Sequence, residues 1–472
     1  CLSPIEYLGF EMDPEITLSY IYMLQFIHEH KIENTMSLRK PEFIQNQHYL
    51  LLSHNCIEQL YVIDNKEHTN EKYSSLLSIL NKCSTAIGRR LCKERLLYPI
   101  LDPNKINERY DTIELFQSKS ENKSIYELCK PNLKKIIDIE KLHRKMGLSI
   151  LNPYEFKSLH NSYQYTQKIS EQLQKIESFQ SFMGKYNDLL QLLTVFMNLY
   201  QSIFNVSELE KWSLMNMETS VFQRNIYPQI DQLDDRIEYK KQLLLAISNK
   251  LGLYIDKKKE DIVKIGCNDK YGWHLYMTKT RSNAMKKSFQ NLTNKQIEFK
   301  NDNSVFLTCH VDDIKVVAKG SNYHIDLPFI HKLSDEIIAD QKKLQGFNKE
   351  MYLKRIGEFY EQYNPLMTDI VSYIGILDLY SNIAQISIEN IYQRPILSDS
   401  GKSFISAKGI RHPIVEKVNT SELYVPNDIE LGEDGILLYG TNACGKSTLM
   451  KSIGLSLIMA QAGFFVPCSS FE

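Results

Sequence analysis

A short glycine-containing loop near residue 440 constrains the fold of this chain more than any other feature. Residues 440–448 read Gly-Thr-Asn-Ala-Cys-Gly-Lys-Ser-Thr. Gly440 and Gly445 would allow backbone N–H groups to turn inward around phosphates, at φ/ψ values that side chains obstruct. Lys446 would then neutralise β- and γ-phosphate oxygens, and the Ser447 hydroxyl would reach Mg²⁺. The pattern predicts a phosphate loop for a nucleoside triphosphate.

The residues on either side of the loop favour this interpretation. The run at 435–439 is short and apolar, which predicts a buried strand entering the loop. After the loop, apolar residues recur at helical spacing and Gly463 stands where a helix commonly ends. These apolar residues are Leu449, Met450, Ile453, Leu457 and Ile458. The alternative, a glycine turn with an incidental lysine, does not explain this order of strand, loop and helix.

Length and composition indicate a folded protein of several domains. A chain of 472 residues with 43% hydrophobic content can bury several cores, and we expect about three domains. The 56 basic and 57 acidic residues nearly cancel, so any nucleic-acid-binding surface must be local. Nine cysteines lie scattered without a close pair, which favours reduced thiols over a disulfide or zinc framework. No apolar run is long enough to cross a bilayer and no signal peptide is visible, so we expect a soluble, intracellular protein of undetermined compartment.

Helical periodicity dominates residues 70–220, where apolar residues recur three or four positions apart. One apolar stripe comprises Ile79, Leu80, Cys83, Ile87 and Leu91. Asp102 and Pro103 predict an N-cap and a first-turn proline. The helix that they begin would present Ile106, Tyr110, Ile113 and Phe116 on one face. Residues 16–30 predict another helix, and residues 48–53 predict a short strand.

Two helical arms, predicted at 230–251 and 327–360, enclose a segment with strand periodicity. The predicted strands are 262–267, 273–278, 305–311 and 314–318. The turn-rich residues 268–272 between the first two are typical of a hairpin. A small β module on two long helices would project from the helical body. A last helix at 365–387 returns to the body, and a domain boundary is expected near residue 390.

In its order of segments the chain resembles the MutS family of DNA mismatch-repair ATPases. Arg-His-Pro-Ile-Val-Glu at 411–416, Tyr-Val-Pro-Asn-Asp at 424–428, the phosphate loop and Ala-Gly-Phe-Phe-Val-Pro at 462–467 are similar to the opening of that family's ATPase domain. Residues 75–101 resemble its core or lever helices. Residues 265–276 resemble the start of its clamp domain, whereas 281–320 are spaced differently from the usual clamp.

The resemblance implies a mostly α multidomain fold, in which a long helical lever and core carries an inserted small β-rich clamp and the first βα unit of an α/β P-loop ATPase domain. The implied divisions are 1–226 for the first part of the core and lever, 227–335 for the clamp, 336–390 for the returning lever and 391–472 for the start of the ATPase domain. It also implies ATP and Mg²⁺ as cofactors. The implied partners are double-stranded DNA, mismatched or branched, an identical or different second subunit, and a downstream repair factor.

The resemblance also assigns roles to residues of the nucleotide segment. The loop residues implied to bind phosphates are Gly440, Thr441, Asn442, Ala443, Cys444, Gly445, Lys446, Ser447 and Thr448, with Ser447 also ligating Mg²⁺. Tyr424 stands where the family has an aromatic ring near the adenine, and its alternative role is that of a core tyrosine. Arg411 and His412 resemble catalytic groups in residue type. A histidine before proline at a strand start more often has a structural role, which is the favoured interpretation here.

Two loop positions depart from the family pattern. Thr441 stands where proline is common and Cys444 where glycine is common, and we expect nucleotide binding to survive both changes. Cys444 would lie near a helix N-terminus and Lys446, so we hypothesise that its alkylation blocks nucleotide binding. The family's mismatch-reading domain and its later Walker B acids have no counterpart in these residues. The catalytic residues are therefore unknown, and we expect these 472 residues to bind ATP weakly without turning it over.

Basic residues around the predicted β module are candidate DNA contacts, because each can neutralise a phosphate without reading bases. They are Lys257, Lys258, Lys259, Lys264, Lys270, Lys279, Arg281, Lys286 and Lys287. The alternative for each is a solvated surface residue. Trp273 could stack on a base, although a hairpin more often buries such a ring. His274, His310 and His324 lack a local ligand pair, so zinc is not favoured.

Three functions remain open at this point. The first is a MutS-type DNA mismatch-repair ATPase that clamps duplex DNA and changes conformation with bound nucleotide. The second is a MutS-like DNA-junction or recombination factor without mismatch recognition. The third is an unrelated P-loop ATPase with helical arms, which would require sustained heptads that the β module interrupts.

Overall fold

The computed structural model describes residues 3–10, 13–30, 38, 40–41, 48–64, 73–120, 123–256, 262–292, 295–301, 304–398, 401–418, 423–442 and 444–472. Helices hold most of these residues, and the strands pair into small antiparallel sheets. The predicted mostly helical class is confirmed.

The first part of the chain forms a helical body with one short hairpin. Its helices are α1 Pro4–Leu8, α2 Pro14–His30, α3 His54–Gln59, α4 Leu76–Leu80, α5 Ala86–Leu97, α6 Pro103–Gln117, α7 Ile125–Leu133, α8 Ile139–Gly147, α9 Pro153–Gln174, α10 Gln180–Gly184, α11 Asn187–Ile203 and α12 Val206–Leu209. The hairpin strands are β1 Lys119–Ser120 and β2 Lys123–Ser124. The predicted strand at 48–53 is wrong. Tyr49 makes a single β-bridge to Ile100, and Ser53 is the N-cap of α3, where its side chain accepts a hydrogen bond from Cys56 N–H.

Helix α6 forms as its sequence predicts. The Asp102 carboxylate accepts hydrogen bonds from the backbone N–H groups of Asn104 and Lys105, and Pro103 occupies the first turn. All four residues of its predicted apolar face are buried. The stripe from Ile79 to Leu91 is interrupted between α4 and α5, although its residues still pack in one core.

The β-rich part lies between two long helices. The elements are α13 Pro228–Leu253, β3 Lys264–Asn268, β4 Gly272–Met277, α14 Lys279–Gln290, β5 Gln296–Asn301, β6 Ser304–His310, β7 Lys315–Lys319, β8 Asn322–Asp326 and α15 Pro328–Asn390. The predicted hairpin is confirmed, with Cys267 opposite Trp273. Four strands form one sheet in the order β3-β4-β8-β7, and β5 pairs with β6 alone. Helix α14 and strands β5 and β8 were not predicted.

Helix α15 is one continuous helix of 63 residues, about 95 Å long at 1.5 Å per residue. The sequence predicts two helices here, at 327–360 and 365–387, but Pro365 lies inside one helix. The predicted clamp boundary at residue 335 falls within α15, whereas the boundary near 390 coincides with its end. The first half of α15 packs on α13 and β4, and the second half packs on α5, α6, α7 and α8.

Asp378 fixes α15 against the body. Its buried carboxylate accepts hydrogen bonds from the backbone N–H groups of Ser84 and Thr85, at 2.9 and 2.7 Å, and from the Thr85 hydroxyl at 2.7 Å. Gly88 lies against it so closely that a Cβ there would be 2.3 Å from the carboxylate oxygen. A side chain of the long helix therefore satisfies the N-terminus of α5.

The C-terminal part contains β9 Ile405–Ile410, α16 Val415–Val418, β10 Asn427–Leu431, α17 Lys446–Ala462 and β11 Ser470–Phe471. These three strands form an antiparallel sheet in the order β10-β9-β11. The predicted helix after the loop is confirmed, and Gly463 ends it at a φ of 82°. The predicted strand at 435–439 is wrong. No described strand lies alongside to pair with it, and Leu437 and Tyr439 stay 87% and 86% exposed.

Candidate nucleotide site and nucleic-acid interface

The predicted phosphate loop closes around the ammonium group of Lys446. Its Nζ donates to the carbonyl oxygens of Gly440 and Thr441, at 2.8 and 2.5 Å, and lies 3.6 Å from Cys444 Sγ. A Cβ at position 440 would lie 2.9 Å from that sulfur, and Gly445 has a φ of 90°. Both glycines are therefore required by the path of the loop.

The N-terminus of α17 opens directly into this loop. Its first helical hydrogen bond runs from Leu449 N–H to the Gly445 carbonyl at 2.9 Å. The N–H groups of Lys446, Ser447 and Thr448 precede that bond, in the position where helix N-termini bind phosphate. These donors, the Lys446 ammonium and the Ser447 hydroxyl form a set that fits a magnesium-bound triphosphate. Asn442 and Cys444 are exposed beside them, and Ala443 lies outside the described residues.

Tyr424 lies beside α17 rather than at the loop. It is half-buried, and burial raises the pKa of its hydroxyl, while a hydrogen bond with Ser452 opposes that shift. Ser452 is six positions beyond Lys446 on the helix. The role of Tyr424 at an adenine stays a prediction.

His412 has a structural position. Its buried Nδ1 accepts from the N–H groups of Ile414 and Val415, both at 3.3 Å, at the start of α16. Burial and the nearby Lys451 lower the pKa of His412 to about 4, so its ring is neutral and able to accept at pH 7.

Arg411 ties the end of α15 to this part of the chain. Its Nη2 donates to the carbonyl oxygens of Asn390 and Ile391, at 3.1 and 3.0 Å, and its Nη1 donates to Glu416 at 2.8 Å. Tyr392 also donates to Glu416, at 3.2 Å. A cation at the C-terminal carbonyls of a helix is favourable because it faces the negative end of the dipole.

The C-terminus of α17 is held by three donors of the helical body. Tyr110 hydroxyl donates to Ala460 O at 2.7 Å, Ile100 N–H to Gln461 O at 3.0 Å, and Arg109 Nη1 to Ala462 O at 2.9 Å. Sequence reasoning missed this contact because the partners lie about 350 positions apart. Only the buried face of α6, with Tyr110 on it, was visible in the sequence.

The segments that follow α15 and α17 pair with each other. Gln393 and Val466 exchange two backbone hydrogen bonds of 2.9 Å, and Arg411 N–H donates to Pro467 O at 2.9 Å. Helix α17 begins at the phosphate loop, and helix α15 begins at the β-rich tip, which consists of β3 to β8 and α14. The two helices therefore end at one junction.

The candidate DNA contacts separate into two groups. Lys264, Lys270, Lys279, Lys286 and Lys287 are exposed on the β-rich tip. Arg281 is half-buried and donates to the Ile262 carbonyl at 2.8 Å, so it holds the tip together. Lys257, Lys258 and Lys259 lie outside the described residues.

Trp273 is packed against the arms. Its indole N–H faces Gln341 Oε1 at 3.4 Å, and Lys241 Nζ lies 5.2 Å from its ring centroid. The stacked rings of His274 and His324, 4.5 Å apart, lie on the same sheet. The described residues bring together no group of three or more His, Cys, Asp or Glu side chains able to hold a metal ion. Within the same residues, no helix has the length and apolar character needed to cross a membrane.

Comparison with known proteins connects this architecture to one family. The family model described as MutS domain III matches residues 55–384. A DNA mismatch repair protein mutS homolog of Acanthamoeba polyphaga mimivirus is 29% identical over 527 aligned residues, which cover 100% of this chain and 45% of the relative. A mitochondrial DNA mismatch repair protein mutS homolog of Sarcophyton glaucum is 27% identical, covering 96% of this chain and 44% of its own length. DNA mismatch repair protein MutS of Caldicellulosiruptor saccharolyticus is 27% identical, with coverages of 98% and 49%. The chain thus spans about half the length of these relatives.

Proposed function

This chain belongs to the MutS family, and from that premise we propose that it acts in DNA mismatch repair as the lever, clamp and nucleotide-binding part of an ATP-dependent DNA clamp. The observation that carries the proposal is the junction at which α15 and α17 end together, joined by the Gln393–Val466 pairing. One helix starts at the phosphate loop and the other at the β-rich tip. Family membership excludes the third interpretation, an unrelated P-loop ATPase.

In this proposal, ATP binds at the N-terminus of α17. Lys446 would exchange its bonds to the Gly440 and Thr441 carbonyls for bonds to β- and γ-phosphate oxygens. Ser447 would ligate Mg²⁺, which neutralises phosphate charge. The loop carbonyls released by Lys446 would then be free to move, so nucleotide binding would change the loop and the helix that begins in it.

DNA would contact the β-rich tip through the exposed lysines Lys264, Lys270 and Lys279. Such contacts are made to phosphates, so they contribute affinity and salt dependence rather than sequence preference. A second subunit, identical or different, would complete the enclosure of the duplex, and hydrolysis of ATP belongs to the proposal for the whole protein.

ATP binding is tested with Lys446→Ala and, as a control, Lys408→Ala, which removes an exposed lysine on β9. Titration calorimetry should show affinity about ten- to hundredfold weaker for Lys446→Ala, because a charged hydrogen-bonding partner is lost. Lys408→Ala should bind as the unchanged protein does. Equal ATP affinity in all three proteins would remove the nucleotide site from the proposal.

DNA binding is tested with matched, mismatched and four-way-junction duplexes, with and without ATP. ATP should change the affinity of the unchanged protein for duplex, and Lys446→Ala should require about ten- to hundredfold more ATP for the same change. Replacing Lys270 and Lys279 by alanine should lower the slope of log affinity against log salt by about 1–2, whereas Lys141→Ala on α8 should not. A uniform preference for junctions over mismatches would favour the recombination-factor alternative instead.

A further inference from the structure

A cavity of about 1060 Å³ lies in the helical body, remote from the β-rich tip. Helices α5, α6 and α15 and the residues around 178–186 form its walls. Two arginines, Arg95 and Arg109, face it together with the aromatic side chains of Tyr49, Phe182, Tyr186 and Tyr380. Its size is sufficient for a small organic ligand.

Among the described residues, Arg95 is positioned by Tyr380 and forms no ion pair with a carboxylate. Its Nη2 donates to the Tyr380 hydroxyl at 3.4 Å, and its guanidinium carbon lies 4.9 Å from the Tyr380 ring centroid. Its Nη1 is buried and has no hydrogen-bond partner in the described part of the chain. A buried charged donor without an acceptor is destabilising, and other atoms of the Arg95 side chain line the cavity, so a rotation of the guanidinium would bring Nη1 to an anion bound there.

Arg109 adds a second positive charge to the same wall. Burial and repulsion from Arg95 lower its pKa to about 10, so it is still a cation at pH 7. Its Nη1 is bound to the Ala462 carbonyl. Two adjacent guanidinium groups in a partly desolvated cavity repel each other, and an anion between them would relieve that repulsion.

The acidic side chains at the cavity have other contacts or point to solvent. Asp102 caps α6 and lies 3.8 Å from Lys105, and Asp111 binds Arg394 at 2.8 Å. Glu108 is exposed. The positive charge of the two arginines is therefore not neutralised by these carboxylates.

We propose that this cavity binds a small phosphate monoester carried on a planar ring. Arginine forks match phosphate oxygens in geometry, and a dianion would satisfy Arg95 Nη1 and compensate both charges. The aromatic walls would pack against the ring, as aromatic side chains pack against planar ligands. Nothing in this site uses the phosphate loop, so the ligand site is independent of the proposed ATP site.

Phenyl phosphate is a suitable probe, with inorganic phosphate and phenol as its two halves. The measurements use Lys446→Ala protein, so that the phosphate loop does not contribute, and follow ³¹P line broadening and calorimetric heat. Phenyl phosphate should bind more tightly than inorganic phosphate, and phenol should bind least. Equal binding of phenyl phosphate and phenol would overturn the role of the arginines.

Two further substitutions in the Lys446→Ala background locate the site. Arg95→Gln should weaken phenyl phosphate binding at least about tenfold, and Arg144→Gln, an exposed arginine on α8, should leave it unchanged. Ser181→Trp at the exposed rim should obstruct the cavity while both arginines stay, which keeps the test decisive if Arg95→Gln fails to fold. Full binding by Ser181→Trp, or by folded Arg95→Gln, would refute the proposal.

Discussion

Gly463→Ala tests the way in which the helical body holds the phosphate-loop helix. Gly463 ends α17 in the left-handed region, at a φ of 82°. A Cβ there would lie 2.5 Å from Arg109 Cδ, 3.1 Å from its Cβ and 3.3 Å from its Cγ. Because three carbons along the arginine stem are involved, rotation of the guanidinium end alone cannot relieve the clash.

The magnitude has two parts. A left-handed backbone costs alanine about 1–2 kcal/mol relative to glycine. Displacing Arg109 also breaks its 2.9 Å bond to the Ala462 carbonyl, and a hydrogen bond from a charged group contributes about 1.5–3 kcal/mol. Arg109 is only partly buried, so we take the lower end and expect a total of about 3 kcal/mol.

Native-state hydrogen exchange is the assay, since it reports local opening of α17 in a protein too large to unfold as one unit. Amides in the last turn of α17 should exchange about a hundredfold faster in Gly463→Ala. Gly320→Ala is the matched control, because Gly320 has a φ of 63° and no atom near its missing Cβ. It should accelerate exchange only about tenfold, in the β7–β8 turn.

A double-mutant cycle isolates the steric part. Arg109→Ala removes Cγ and the most closely approached carbon, Cδ, and leaves only Cβ at 3.1 Å, so its combination with Gly463→Ala should cost less than the two single changes added together, by about 1–2 kcal/mol. If the costs are additive and Gly463→Ala matches Gly320→Ala, the contact between Gly463 and Arg109 does not hold this helix end.

Three further predictions follow from single side chains. Tyr110→Phe should destabilise the end of α17 by about 1 kcal/mol, measured by the same exchange assay, because Ala460 O would keep only its bond from Gly463 N–H. Burial lowers the pKa of His143 to about 4, so the unfolded chain takes up that proton first and stability should fall as pH drops from about 6.5 towards 4. The loss from His143 should reach about 2 kcal/mol at pH 5 and should be absent in His143→Gln during denaturant titration. Cys444 is exposed beside Lys446, so iodoacetamide should reduce ATP affinity about tenfold or more, and Cys444→Ala should resist the reagent.

The features that were predicted from sequence are those with local causes. Asp102 and Pro103 mark the start of α6 because cap and first-turn preferences depend on neighbouring residues alone. The hairpin at Cys267 and Trp273 was visible because turn residues separate two strand-like runs. Gly463 likewise predicted the end of α17.

The features that were missed depend on distant partners. The run at 435–439 has the composition of a strand, but a strand also requires neighbours for its backbone groups, and none of the described strands supplies them. The sequence predicts a helix start at Pro365. Packing on α13 and β4 before this residue, and on α5, α6, α7 and α8 after it, keeps α15 continuous. The donors at the end of α17 come from residues 100–110, and no local pattern in the sequence connects the two regions.

The shared junction of α15 and α17 limits how a displacement of the phosphate-loop helix can be absorbed. The last three carbonyls of α17 accept hydrogen bonds from the helical body. The segment that follows α17 is paired with the segment that follows α15. Helix α17 therefore cannot shift along its axis without breaking these bonds or moving the end of α15. Asp378 holds α15 to α5 only about three turns from that end. Beyond it, Pro365 removes one helical hydrogen bond, and helices bend most readily at such a site. Because Asp378 ties this end of α15 to the body, a rotation imposed at the junction has to move the body and the end of α15 together. Under the proposed function, we expect α15 then to bend at Pro365 and the β-rich tip beyond it to travel farthest.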